Sequence, residues 1–342
     1  MIKQDYFLFM RELVLENKLS PGDVVVCTAA IRDLHRAHPG KFKTEYRGVA
    51  PQVFENNPYI TVVDKSKAEH IILEYPLIHK SNFTPVHFIG AYHKFLEEKL
   101  EVEIPVTEFK PDIHVSAIEK AWINQVHEIV GQDMPFWIIV SGGKFDFTNK
   151  WWDHHRYQKV VDAFKGRVVF VQVGEAGHHH KPLDGVIDLV GKTDFRQLIR
   201  LVHHSRGVIC PVTCIMHLAA GVETRYDAFP VRPCVVVAGG REPVSWEHYP
   251  SHAFLHTQGM LDCCASGGCW KSRVTPLDDG DSKNESLCVK PVESHDGIKI
   301  PKCMDMISAD DVIKKVEHYL IESSPTITDA QFSSALPHLT RL

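Results

Sequence analysis

The residues best placed for chemistry on an anion lie between Gly207 and Gly221. Val208 and Ile209 open the segment as an apolar run, Pro211 to Cys214 form a bend, and Met216, Leu218, Ala219 and Ala220 follow as the first turns of a helix. A strand, a tight turn and a helix start leave free backbone N–H groups and the positive end of the helix dipole aimed at one point. Thr213 adds a hydroxyl there, and His217 falls in the first turn. A packed corner with a satisfied core histidine reads the same way, so the neighbouring segments have to decide.

Two further stretches carry candidates. Phe136 to Lys144 is an apolar run ending in Gly142-Gly143, and the segment after it holds Lys144, Thr148, Asn149 and Lys150. Two lysines just past a strand end suit a diphosphate, with Thr148 and Asn149 as polar donors, although a solvated loop has the same composition. Earlier, Gly22-Asp23 precedes an apolar segment and a helical pattern (Ala30, Leu34, Ala37) that Pro39 stops. Asp23 at such a corner has two possible roles. It can face a cleft as a general base, or it can serve as a turn or N-cap residue, which is the simpler reading.

The elements that must position these groups alternate. Val168 to Gly174, Val186 to Thr193 and Cys234 to Gly240 are apolar runs ending in glycine or threonine, and Asp194 to His204 has Phe195, Leu198, Ile199, Leu201 and Val202 at helical spacing. Continuous apolar strands between helices predict an α/β fold with a parallel sheet covered on both faces. Ligands then bind beyond the carboxyl ends of the strands, where Gly174, Gly191, Thr213 and Gly239 fall. Elsewhere the spacing predicts an amphipathic helix over residues 1–18 (Phe7, Met10, Leu13, Val14). Short strands and turns follow from Phe42 to Val63, with a strand from His70 to Tyr75. Helices are expected from His87 to Leu100, Ala117 to Val130 and Tyr157 to Phe164, and a last one from Asp310 to Ile321. The implied division is a first unit over 1–133, a second over 134–260, a cysteine-bearing segment over 261–306, and a helix and tail over 307–342.

With 342 residues, 44% hydrophobic and 24% charged, the chain suits a globular protein with full cores. A net charge of −5 gives no footprint of nucleic-acid binding. No apolar run reaches the ~18 residues of a membrane span, and the polar start Met1 to Tyr6 does not read as a secretory signal. Nine cysteines without an export signal point to a reducing, cytoplasmic setting. His178 to His180 follow a glycine turn and read as a solvated loop. Five of the thiols, Cys263, Cys264, Cys269, Cys288 and Cys303, fall in a polar segment poor in core residues. Such a segment needs a staple, and structural, thiolate-bound iron or zinc would supply it, with one of the adjacent pair Cys263 and Cys264 spare; a set of buried or free thiols is the alternative. Cys27, Cys210, Cys214 and Cys234 sit in apolar runs and read as core.

From Pro21 to Tyr319 the chain resembles glycosyltransferase family 9, the ADP-heptose transferases. Gly22-Asp23 with Thr28 to Arg32 and His38-Pro39 resembles the first motif of that family, and Lys150-x-Trp152 with Tyr157 its lysine–tryptophan motif. Leu189-Val-Gly-Lys-Thr193 and Thr213-x-x-Met-His-Leu-Ala-Ala220 resemble its donor-binding motifs. Val212 and Cys214 stand where the family usually has Asp and Gly, and Gly239 to Pro243 where it has a Gly-Pro-Thr-type loop. The resemblance implies a GT-B fold, two Rossmann-like domains facing a cleft, and inverting transfer with no catalytic metal. It makes Asp23 the general base and Lys150, with Lys144, the stabiliser of leaving ADP. The implied donor contacts are Gly142, Gly143, Thr148, Gly174, Lys192, Thr193, Thr213, Met216 and His217. The cysteine segment resembles that of bacterial autotransporter O-heptosyltransferases, which form oligomers. The expected function is therefore heptose transfer from ADP-heptose to serine hydroxyls of an autotransporter adhesin, by a homo-oligomer with a C-terminal cysteine metal finger. Lipopolysaccharide core or a small molecule is the alternative acceptor, and a non-catalytic metal-finger binding protein the alternative class.

Overall fold

The computed structural model describes residues 10–74, 77–78, 80–226, 231–322 and 327–340. Two parallel sheets dominate. The first has three strands, β1 (Arg11–Asn17), β2 (Phe42–Gly48) and β3 (Glu69–Leu73), in the order β2-β1-β3. The second has six, β4 (Trp137–Ile139), β6 (Phe170–Gln172), β8 (Ile187–Asp188), β9 (Gly207–Pro211), β10 (Cys234–Gly239) and β11 (His252–His256), in the order β11-β10-β9-β4-β6-β8. That order is doubly wound, with its switch point between β4 and β9, the crevice at which such sheets bind ligands. β5 (Gly142–Gly143) pairs with β7 (His179–His180), and β12 (Pro291–Glu293) with β13 (Lys299–Pro301), both antiparallel. The expected α/β class and parallel sheets are present.

The helices are α1 (Pro21–Ala37), α2 (Phe88–Leu100), α3 (Ala117–Ala121), α4 (Gln125–Val130), α5 (His154–Ala163), α6 (Phe195–His204), α7 (Cys214–Gly221), α8 (Val244–Glu247), α9 (Lys302–Asp305), α10 (Ala309–Glu322) and α11 (Asp329–Ala335). α1 is the axis of the fold. It starts with Pro21 in the first turn and Asp23 at N3, and it is buried without a break from Gly22 to Leu34. It packs on α2 of its own half and on α7 of the other. Its middle carries a buried charge pair, Arg32 and Asp33, 2.8 Å apart and both 0% exposed. Arg32 also donates to the carbonyls of Lys110 at 2.9 Å and Glu108 at 2.7 Å, and Asp33 meets His93 at 2.9 Å and the Thr107 amide at 3.1 Å. Burial alone would raise the Asp33 carboxyl, but His93, Arg32 and Thr107 outweigh it and hold it well below the usual range.

Three sequence expectations need correction. The stretch read as an amphipathic helix is β1 from Arg11 onward, with Leu13, Val14 and Leu15 buried in succession. A central strand shows no polar face for alternation to reveal; Phe7 lies outside the described residues. The helix expected from Ala117 to Val130 is two, α3 and α4, broken at Trp122 to Asn124, where Asn124 caps α4 by accepting from the His127 amide at 2.9 Å. His179 and His180 are not a solvated loop: they pair with Gly142 and Gly143, and His179 stacks on Trp151 at 4.0 Å.

Asp33→Asn would leave Arg32 buried without its counter-charge. The expected cost is about 3–5 kcal/mol, read as a lower urea midpoint at unchanged slope.

Candidate functional site

A cleft of about 960 Å³ lies at the carboxyl ends of the second sheet, and it is closed on the other side by the start of α1. Glycine decides how close the two halves come. A β-carbon on Gly22 would stand 3.3 Å from His217 Cδ2 and 3.4 Å from Cys214 Cα, so the N-termini of α1 and α7 nearly touch. Asp23 lies at this junction, its Oδ2 accepting from the Ser20 amide at 2.8 Å. It sits at N3 of α1, behind the N-cap Ser20, and lines the cleft.

The remaining wall comes from β4, β6, β8 and β9. Gly142, Gly143, Lys144 and Lys150 follow β4; Gly174 follows β6; Thr193 follows β8; Thr213 and His217 follow β9. Of the expected site residues three lie elsewhere. Thr148 is buried, and its hydroxyl accepts from the Val274 amide at 2.9 Å. Lys192 points away and pairs with Asp188 at 2.9 Å. Met216 is 0% exposed on the core face of α7. Trp152, too, is core, its Nε1 donating to the Ile307 carbonyl at 2.9 Å. Conversely Cys214, expected in the core, lines the cleft, while Cys27, Cys210 and Cys234 are buried.

The residues after β10 contribute a charged cluster that the sequence did not single out. Lys150 Nζ donates to Glu242 Oε1 at 2.7 Å, and Arg241 donates to the same oxygen. Burial would raise Glu242, but Arg241 and Lys150 hold it below the usual carboxylate range. Glu247 is pushed up to about 8 by burial and by the negative charges of Glu242 and Asp23. His217 is driven well below its ordinary value by burial, so its ring is neutral. It meets the Tyr249 hydroxyl at 2.9 Å. Phe88, Phe147, Trp246 and Trp270 add aromatic faces.

Trp270 and Ser272 reach the cleft from the cysteine segment. The Lys271 carbonyl between them accepts from Arg241 Nε at 2.6 Å and from Asn149 Nδ2 at 3.2 Å. Trp270 Nε1 donates to Asn82 Oδ1 at 2.7 Å, tying the segment to the first half. Behind this wall Cys263, Cys264, Cys269, Cys288 and Cys303 line one small cavity of about 10 Å³. Gly239 and Gly240 pass beside it: a β-carbon on Gly240 would stand 3.0 Å from Cys264 Sγ. Burial pushes the Cys303 thiol up to about 12, with Cys269, Cys288 and Cys264 adding to the rise. Among the described residues no group of three or more His, Cys, Asp or Glu side chains is already arranged to hold a metal ion. No described helix is long and apolar enough to cross a membrane.

This architecture, a doubly wound α/β sheet facing a second parallel sheet across a cation-lined cleft, is that of a GT-B-like glycosyltransferase. Residues 51–226, more than half of the chain, match the model of glycosyltransferase family 9 (heptosyltransferase), and the chain belongs to that family. It is 25% identical over 265 residues to lipopolysaccharide heptosyltransferase 3 of Escherichia coli (strain K12), an alignment that takes in 73% of this chain and spans 66% of that relative's length. Its fold is similar to that of the glycosyl transferase family 9 protein of Veillonella parvula DSM 2008, with TM-score 0.61, 16% identity, and 92% and 98% of the two chains covered. It is also similar to E. coli ADP-heptose lipopolysaccharide heptosyltransferase II, with TM-score 0.58, 13% identity, and 91% and 99% covered. A third similar fold is the iron-containing dodecameric glycosyltransferase TibC of enterotoxigenic E. coli H10407, with TM-score 0.60, 14% identity, and 92% and 78% covered. At these identities the structural likeness is one of fold.

The placement of the lysines gives a direct test. Titrated with inorganic pyrophosphate, Lys150→Ala is expected to bind about tenfold more weakly than the parent, while Lys192→Ala, outside the cleft, is expected to bind as the parent does.

Proposed function

We propose that this chain transfers heptose from ADP-heptose, with inversion, to serine hydroxyls of a bacterial autotransporter adhesin. The observation that carries the transferase chemistry is the meeting of α1 and α7, by which Asp23, Lys150, Lys144 and the start of α7 line one cleft. The acceptor hydroxyl attacks the anomeric carbon, Asp23 takes its proton, and the bond to the diphosphate breaks. The developing negative charge falls to the lysines and to the amides that open α7. The donor follows the names of the relatives above. The serine acceptor rests on the resemblance of the cysteine segment, Cys263 to Cys303, to that of autotransporter O-heptosyltransferases. A homo-oligomer belongs to this reading, with the exposed Trp122 and Ile123 as an apolar patch that assembly would cover. Lipopolysaccharide core is the second acceptor reading, favoured by the name of the curated relative.

Thiolate-bound iron or zinc is the cofactor of the reading, and the chemistry of the donor set fits it. The Cys264 thiol is engaged with the Leu261 carbonyl at 3.3 Å and the Thr257 carbonyl at 3.6 Å. Cys264 donates its proton in these contacts, whereas Cys269 Sγ accepts from Asn149 Nδ2 at 3.8 Å as a thiolate can, so the reading takes Cys263, Cys269, Cys288 and Cys303 as the ligands. The ion would have a structural role, holding the backbone that carries Trp270, Lys271 and Ser272.

Two experiments test these assignments. An adhesin fragment co-expressed with the chain should gain the mass of one heptosyl residue per modified serine, and Asp23→Ala should abolish the gain, with turnover down roughly 10²–10⁴-fold. A gain on core oligosaccharide in place of the adhesin would move the assignment to the second acceptor. Metal content measured on purified protein should persist in Cys264→Ser and be lost in Cys269→Ser, with a lower melting temperature in the latter.

A further inference from the structure

We infer that Glu247 holds a hydroxyl of the transferred sugar. The inference rests on the donor reading above and names a contact within it. Glu247 is 6% exposed, lines the cleft, and has an Oε2 that is buried without a hydrogen-bond partner. His217 Nε2 stands 3.6 Å from that oxygen, beyond hydrogen-bond reach. Buried oxygens left unpaired are costly, and one that lines a cleft can be satisfied from the cleft side by a ligand. Glu242 Oε2 and Thr213 Oγ1, on the same wall, are likewise buried and unpartnered. On either side of Thr213, Val212 and Cys214 offer no side-chain oxygen, so sugar hydroxyls must find their partners among groups such as these.

Position singles out Glu247 from the three. Its carboxyl responds to both Asp23 and Lys150, whereas Glu242 already has one oxygen taken by Lys150 and Arg241. A sugar undergoing transfer must lie between the base and the cations that receive the leaving diphosphate. A buried carboxyl that lines the same cleft as both is placed to meet the ring. α8 is fixed in place by Trp246, which is 1% exposed and stacks on Phe88 at 4.7 Å.

A charged carboxylate here would repel the diphosphate. The groups facing Glu247 are Asp23 from α1, Lys150 from the turn after β5, Arg241 and Glu242 from the loop after β10, His217 from α7, and Tyr249 beyond α8. Their balance, with burial, pushes the carboxyl up to about 8, so near neutral pH it keeps its proton and can both donate to and accept from a hydroxyl. As pH rises through that value the proton is lost, and the added negative charge weakens donor binding.

Calorimetric titration with ADP and with ADP-heptose, at pH 7 and pH 9, tests this on the parent, Glu247→Ala and Glu247→Gln. The expected result is a loss of about tenfold or more for ADP-heptose in Glu247→Ala, with ADP affinity changed less than about twofold. Glu247→Gln, a neutral carboxyl mimic, should restore most of the affinity and abolish the weakening that the parent shows at pH 9. Equal ADP-heptose binding by the parent and Glu247→Ala would overturn the inference, as would a parallel loss of ADP. A parent that binds neither ligand would overturn the donor reading itself and this contact with it.

Discussion

Two helices start at the same place. The N-termini of α1 and α7 come from different halves of the chain and meet where Gly22 passes Cys214 and His217. Bringing two positive dipole ends together is unfavourable unless negative charge lies between them. Asp23 supplies that charge, and a bound diphosphate would supply more. The rest of the fold holds the meeting in register. Burial of α1 from Gly22 to Leu34 removes any face on which it could slide, and the Arg32–Asp33 pair anchors its middle to the segment of Glu108 and Lys110. The cleft is thus a consequence of helix packing as well as of strand order.

The cysteine segment completes the cleft from behind. Cys269 and Trp270 run beside Gly240 and Arg241, with amide-to-carbonyl contacts of 3.3 Å and 3.0 Å. Ser272 and Ser286 reach the same cavity, joined by an amide-to-carbonyl bond of 2.8 Å. The segment has few apolar side chains with which to bury itself, so its position depends on polar ties: Asn82 to Trp270 and Gly268, Thr148 to Val274, and Asn149 to Ser272 and Lys271. Thr148 and Asn149, which the sequence suggested as ligand donors, serve instead to hold this wall.

The parts of the site that could be read in the sequence were those built locally. Val208 to Ala220 shows a strand, a bend and a helix in order, and β9 and α7 follow it closely. Cys234 to Gly239 likewise reads and forms as a buried strand. β1 could not be read, because a strand covered on both faces has no alternation to separate it from the buried side of a helix. Met216 and Lys192 sit within family-like motifs, yet their neighbours turn them to the core and to Asp188. Arg241, Glu242 and Glu247 were invisible for another reason. Their meaning depends on Lys150 and Asp23, which lie about a hundred to two hundred positions earlier in the chain, and no local period encodes that proximity.

Glu242 has a consequence for the rhythm of a reaction cycle. Paired with both Lys150 and Arg241, it offsets one of their two positive charges and gives the cleft a tethered counter-ion. An arriving diphosphate must compete with a tethered carboxylate for these cations, and a departing one is replaced by that carboxylate without waiting for solvent ions. Such an arrangement weakens substrate and product alike, and so lowers occupancy in exchange for faster clearance. A diphosphate that binds here meets cations already partly engaged by Glu242.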